Sequence, residues 1–185
     1  NTTYTVTVYG FSCTDTEEIA VTVNDIPTVN AGADSTICNG KSATLYGNGN
    51  GTYTWSNSAT TQNITVAPAT STTYTLTVTN GSNCTNTDYA VVIVNAIPTV
   101  DAGLDKTICI GKSTTITAAS NGTFECSTAE TTAAITVAPV INSTYTLTVT
   151  NGSSCTNTDQ VAVTVNPIPT ANADTDKDIC IGNSV

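Results

Sequence analysis

The chain has 185 residues with 39% hydrophobic content, only 5% aromatics and no Met, so any core is built from small and β-branched side chains. Four Lys, no Arg and fourteen acids leave a net charge of −10, which argues against nucleic acid as a partner and against polybasic attachment to anionic lipid. No run approaches the roughly 18 apolar residues that would span a bilayer.

Taken from the N-terminus, the dominant signal is an internal repeat of 71 residues. Cys13, Cys84 and Cys155 recur at that interval, as do Cys38, Cys109 and Cys180. Residues 29–98 set against 100–169 without a gap share 42 of 70 positions. TYTLTVTNGS recurs at Tyr74 and Tyr145 within its run, CTNTD at Cys84 and Cys155, and IPT at Ile26, Ile97 and Ile168. The expected organisation is therefore the end of one repeat at 1–28, full repeats at 29–98 and 99–169, and the start of another at 170–185. A frame that opens and closes in mid-repeat implies a natural protein that continues in both directions.

Within the first full repeat, strands are predicted near 33–38, 42–47, 52–56, 62–67, 73–79 and 86–94. Tyr74, Leu76 and Val78 alternate with Thr75, Thr77 and Thr79, a period of two with one apolar and one threonine face. Tyr145, Leu147 and Val149 repeat that face in the second copy, and Trp55 with Tyr53 lines the same core. Asn80-Gly81 between the two longest strands reads as a tight hairpin with glycine at positive φ. Pro98 of IPT removes a donor and fixes φ, closing the last strand with a short, stiff connector. No segment has a helical period, so the fold class is all-β, an antiparallel Greek-key sandwich repeated along the chain.

VNAGADSTICNGKSATL from Val29, TYTWSNSATTQNITVAPATSTTYTLTVTNGSNCTNTD from Thr52 and VNAIPTVDAG from Val94 resemble tandem Ig-like or PKD-like repeats of very large cell-surface and secreted proteins of Bacteroidota. That resemblance covers the whole chain. It implies Ig-like sandwiches arranged head to tail, secretion (often by the type IX route), and roles in adhesion, gliding or fibre formation without a catalytic site. One departure stands out, since Trp55 has become Cys126 in the second repeat.

Seven cysteines with no His and no closely spaced Cys pair speak against zinc and against an imidazole-activated thiol, and favour disulfides in an oxidising compartment. In an Ig-type sandwich Cys38 would lie at the C-terminal end and Cys84 at the N-terminal end, a strand length apart. The preferred pairing is therefore a staple across the joint, Cys38–Cys155, with Cys13, Cys84, Cys109 and Cys180 pairing to repeats outside the chain. Bonding within repeats, Cys38–Cys84 and Cys109–Cys155, is the alternative, and Cys126 is read as a passive core thiol.

Asp34, Asp101 and Asp105 are weak calcium candidates near the joint, with Asp25, Asp88 and Asp159 as further carboxylates. No D-x-D-x-D-G loop accompanies them, and no metal or cofactor is expected. Lys41 and Lys112 read as solvated turn lysines. Asp34-Ser35-Thr36 is similar to a short O-glycosylation acceptor, and sequons occur at Asn63, Asn80 and Asn142.

With no paired carboxylates in a defined pocket and no phosphate loop, the chain is expected not to be an enzyme. The expected function is a structural repeat of an extracellular or cell-surface fibre, stalk or adhesin, whose partners are other copies of the repeat. The alternative is an Ig-like module binding a surface glycan or a host or cell protein.

Overall fold

The computed structural model describes residues 1–173, 178, 180 and 181. Predicted positions in 174–177, 179 and 182–185 lie outside the described residues. The chain forms two compact units, Asn1–Ala96 and Ile97–Val185. No helix occurs among the described residues, and none is long and apolar enough to cross a membrane.

Unit 1 opens with an antiparallel hairpin, β1 (Thr2–Tyr9) and β2 (Thr14–Val21), paired from Thr2↔Val21 to Tyr9↔Thr14. Its apolar side chains Tyr4, Val6, Val8, Ile19 and Val21 are exposed. The full repeat follows as β3 (Val29–Asn30), β4 (Ser35–Cys38), β5 (Ala43–Tyr46), β6 (Asn48–Gly49), β7 (Thr52–Trp55), β8 (Asn63–Val66), β9 (Thr72–Thr79) and β10 (Thr85–Asn95). One layer is the four-stranded sheet β4-β10-β9-β7. Facing it are the two-stranded sheets β5-β8 and β3-β6.

The period-two pattern explains this sandwich. Leu76 and Val78 of β9 and Ala90 and Val92 of β10 point inward and are fully buried, against Leu45, Ile64 and Val66 of the second layer. The intervening threonines face outward, where Thr44 and Thr65 hydrogen-bond across β5 and β8 at 2.9 Å. Trp55 is 1% exposed. Tyr74 sits differently from its alternating neighbours, only half-buried against the cluster, and Tyr53 is half-buried as well.

Two local features depart from the expectation. β4 runs parallel to β10, with Ser35↔Val92 through Cys38↔Asn95 in register, so the sandwich is not purely antiparallel. The chain has to leave the β3-β6 layer and enter the opposite one within four residues, and Gly32 at φ +87° makes the bend. A Cβ there would meet the Tyr46 carbonyl oxygen at 2.9 Å, so only glycine fits.

The β9–β10 connection, in turn, is not a two-residue turn with Gly81 at positive φ. It spans five residues, and Asn83 takes the left-handed conformation at φ 60°. Asn80 causes this, because its Oδ1 accepts the N–H groups of Ser82 and Cys84 and so builds a wider, side-chain-closed turn.

Unit 2 repeats the architecture. β11 (Val100–Asp101), β12 (Lys106–Cys109), β13 (Thr114–Thr117), β14 (Ala119–Ser120), β15 (Thr123–Cys126), β16 (Ala134–Val137), β17 (Ser143–Thr150) and β18 (Thr156–Asn166) form the sheets β12-β18-β17-β15, β13-β16 and β11-β14. Leu147, Val149, Val161 and Val163 are buried, and Tyr145 is again half-buried at the rim.

Candidate functional site

The residues singled out by the sequence fall into three places: the two ends of each sandwich, the turns that carry aspartates, and the Trp55/Cys126 position.

At one end, the proline of IPT packs against the sandwich that follows it. Pro27 and Pro98 are fully buried. The Pro27 carbonyl accepts a hydrogen bond from Asn86 Nδ2 at 3.0 Å, and Pro98 is held in the same way by Asn157 at 3.0 Å. Thr28 N–H donates to Asn50 Oδ1 at 2.7 Å, as Thr99 N–H does to Asn121 at 2.9 Å. Asn80 Nδ2 donates to the Asp25 carbonyl at 2.7 Å. These bonds go to linker backbone, so they fix its path with little demand on its side chains.

The cysteines occupy two kinds of position. Cys38 and Cys109 end β4 and β12, opposite Asn95 and Asn166 on the long last strand of each unit. Cys84 and Cys155 immediately precede that same strand at its other end. Each last strand covers 11 residues, about 33 Å at 3.3 Å per residue, far beyond the roughly 4.4–6.8 Å between Cα atoms that a disulfide bridges. Cys38 and Cys155 are in the disulfide state, whereas Cys13, Cys84, Cys109, Cys126 and Cys180 are free thiols. Cys84 Sγ lies 4.0 Å from the Asn24 carbonyl oxygen of the incoming linker.

The aspartates act as backbone acceptors. Asp88 Oδ2 accepts from Ala31 N–H at 2.9 Å and Asp34 Oδ1 from Val91 N–H at 2.8 Å. Asp159 and Asp105 do the same for Ala102 and Ala162, both at 2.8 Å. Asp101 accepts from Gly103 N–H at 2.8 Å. The Ala102 N–H, and after it that of Gln160, holds the Asp159 carboxyl below the ordinary aspartate range, because both bonds favour the ionised form. Asp34, Asp101 and Asp105 thus serve the bends between layers, and no group of three metal-ligating side chains occurs among the described residues. Asp34, Asp88, Asp105 and Asp159 each pair with a backbone N–H 57 residues away, at the same spacing in both repeats.

At the third place, Trp55 Nε1 donates to the Thr61 carbonyl at 3.0 Å and its ring fills the sandwich. Cys126 stands there in unit 2, 7% exposed. A residual cavity of about 20 Å³ remains, bordered by Cys126, Ala118, Ile116, Tyr145 and Leu147. Ala118 replaces Gly47, where a Cβ would meet the Gln62 carbonyl oxygen at 2.5 Å and both Trp55 Cζ2 and Leu76 Cδ2 at 3.0 Å. The loss of the ring and the gain of a methyl are therefore partly compensating.

No known family profile matches the chain, and no curated protein matches it. Among solved structures, the chain is similar to the extracellular domains 3–5 of Drosophila OTK, with TM-score 0.40 and 12% identity over 89% of this chain and 70% of that one. It is similar to DIP-gamma IG1+IG2 with TM-score 0.38 and 11% identity over 76% and 98%. It is also similar to the N-terminal eight Ig domains of Down Syndrome Cell Adhesion Molecule, with TM-score 0.38 and 12% identity over 89% and 31%.

Proposed function

We propose that this chain is a structural segment of an extracellular or cell-surface fibre, stalk or adhesin. In it, Ig-like repeats with a period of 71 residues (29–98 and 99–169) follow one another along the chain, and a disulfide joins each repeat to the next. The observation that carries the reading is the identity of the two oxidised cysteines: one is a strand-end cysteine of the first repeat and the other a hairpin cysteine of the second.

The geometry inside unit 1 supports a bond between them. The hairpin thiol of Cys84 lies over the Asn24 carbonyl, and the residue 71 positions beyond Asn24 is Asn95. Asn95 is the strand partner of Cys38, and Asn39 N–H donates to its carbonyl at 2.8 Å. In this reading the repeat period pairs each hairpin cysteine with the strand-end cysteine of the repeat before it, and so Cys155 with Cys38. Cys84 and Cys109 are free thiols of the same two kinds, and in this reading they make the same link to neighbouring copies. Closing a loop of 117 residues (155 minus 38) contributes about 4–5 kcal/mol in the chain-entropy account.

The hairpin β1–β2 matches β9–β10 strand for strand, and its exposed Tyr4, Val6 and Val8 correspond to Tyr74, Leu76 and Val78. It is read as the last hairpin of a preceding repeat. Outward threonines give a neutral, hydrated surface and the net negative charge opposes clumping, as suits a repeated extracellular structure.

Non-reducing peptide mapping tests the linkage directly. A cross-linked peptide containing Cys38 and Cys155 is expected. Recovery of Cys38–Cys84 and Cys109–Cys155 peptides instead would sink the proposal.

A further inference from the structure

Asn-Gly occurs six times in the sequence, at Asn39, Asn48, Asn50, Asn80, Asn121 and Asn151. The pair is chemically labile, because a glycine without a Cβ leaves its backbone nitrogen open to close on the preceding side-chain carbonyl carbon. The fold holds five of the six away from that reaction. Asn50 Oδ1 accepts the N–H of Thr28 at 2.7 Å, and Asn121 Oδ1 that of Thr99 at 2.9 Å. Asn80 Oδ1 and Asn151 Oδ1 each accept two turn N–H groups at 3.0 Å. Asn48 and Gly49 make up β6, paired with Asn30 and Val29, and a Cβ at Gly49 would lie 2.6 Å from the Thr28 carbonyl oxygen.

Asn39 is the exception. It and Gly40 are exposed in the turn that follows β4. That turn is held by its flanks, since Lys41 N–H donates to the Cys38 carbonyl at 3.0 Å and Asn39 N–H to the Asn95 carbonyl at 2.8 Å. Gly40 sits at φ +82°, with nothing within 4 Å of where its Cβ would be. Among the described residues, neither the Asn39 side chain nor the Gly40 N–H takes part in a hydrogen bond. Unit 2 builds the same turn, with Ile110 N–H on the Asn166 carbonyl at 2.9 Å, Lys112 N–H on the Cys109 carbonyl at 3.0 Å and Gly111 at φ +80°. Ile110 has no side-chain carbonyl there to attack.

We infer that Asn39-Gly40 is a site of spontaneous covalent modification, the place in unit 1 where the folded chain deamidates through a succinimide. The Gly40 nitrogen attacks Asn39 Cγ and a C–N bond forms. The Cγ–Nδ2 bond breaks, and the Gly40 amide proton leaves with Nδ2 as ammonia. Water then opens the ring at one of its two carbonyls, leaving aspartate or isoaspartate, with no change of oxidation state. Either product places a new negative charge at the end of β4, and isoaspartate also lengthens the main chain opposite Asn95. At Asn50, Asn80, Asn121 and Asn151 the side-chain carbonyl has to give up its hydrogen bonds before the glycine nitrogen can reach it.

The test incubates the full chain in neutral buffer and follows isoaspartate and aspartate at each Asn-Gly by peptide mapping over time. In the folded chain Asn39 is expected to react about tenfold faster than any of the four hydrogen-bonded asparagines. In urea, with the chain unfolded, all six should react at similar rates. Ile110→Asn creates the same dipeptide in the matching turn of unit 2, at a position 40% exposed, and is expected to react as fast as Asn39. An Asn39 no faster than the others in the folded chain overturns the inference. A lead that persists unchanged in urea also overturns it, because the flanking sequence and not the fold would then be the cause. A slow reaction in folded Ile110→Asn overturns it as well, since the turn would then confer no lability.

Discussion

Replacing Trp55 with the residue its own repeat partner uses, Trp55→Cys, isolates what the indole contributes. The side chain is 1% exposed, packs in the cluster with Leu76 and Val78, and has its N–H satisfied by the Thr61 carbonyl. A tryptophan buries about 150–250 Å², which at about 25 cal/mol per Å² corresponds to about 4–6 kcal/mol. The cysteine restores part of this, so a net loss of about 3–4 kcal/mol is expected, in line with large-to-small core changes. Gly47→Ala alone places a Cβ 2.5 Å from the Gln62 carbonyl and 3.0 Å from both Trp55 Cζ2 and Leu76 Cδ2, an overpacking cost of about 1–3 kcal/mol. Combined, the two should cost about 1 kcal/mol less than their sum, because removing the ring frees one of the three contacts. Native-state hydrogen exchange at Leu76, Val78 and Ala90 reports unit 1, and Leu147, Val149 and Val161 provide an unaltered reference in unit 2. Strict additivity would show that Ala118 and Cys126 do not compensate one another and would refute the packing argument.

Three further outcomes follow from the same geometry. With Cys38 bonded to Cys155 as proposed, the chain pulled by its ends should extend over only 67 residues (38 − 1 and 185 − 155), at most about 240 Å, and reductant added under tension should release a single further 117-residue step. Two releases of 46 residues would instead place the bonds inside the repeats. Ala129→Gly should stabilise unit 2 by about 0.5–1 kcal/mol in urea unfolding, because Ala129 is held at φ 68° where a Cβ is strained; no gain would mean that the turn relaxes in solution. The folded pKa of Asp159 is depressed, so its contribution is present above the unfolded value and is lost as pH falls through the lower folded one. Asp159→Asn should therefore flatten the acid limb of the stability curve of unit 2, and an unaltered limb would disprove the role of the Ala102 bond.

The period, the strands and the core face are set by local chemistry that the chain spells out. Thr75, Thr77 and Thr79 alternating with Leu76 and Val78 admit one buried face, and the second copy repeats it at Leu147 and Val149. The exchange of Trp55 for Cys126 was equally visible, whereas its link to Gly47 and Ala118 was not, since those positions meet only once the layers close. The β9–β10 turn misled a dipeptide reading: Asn80-Gly81 favours a two-residue turn, but the Asn80 side chain takes two N–H groups and the linker carbonyl together. In the same way, the parallel pairing of β4 with β10 and the use of Asp34, Asp88, Asp105 and Asp159 as backbone acceptors join residues 57 positions apart. Alternation reports which side of a strand is dry, because burial follows a period carried by neighbouring residues. Which distant backbone group a carboxylate or amide satisfies depends on the layer change at Gly32 and on the linker's path, and those exist only in the folded chain.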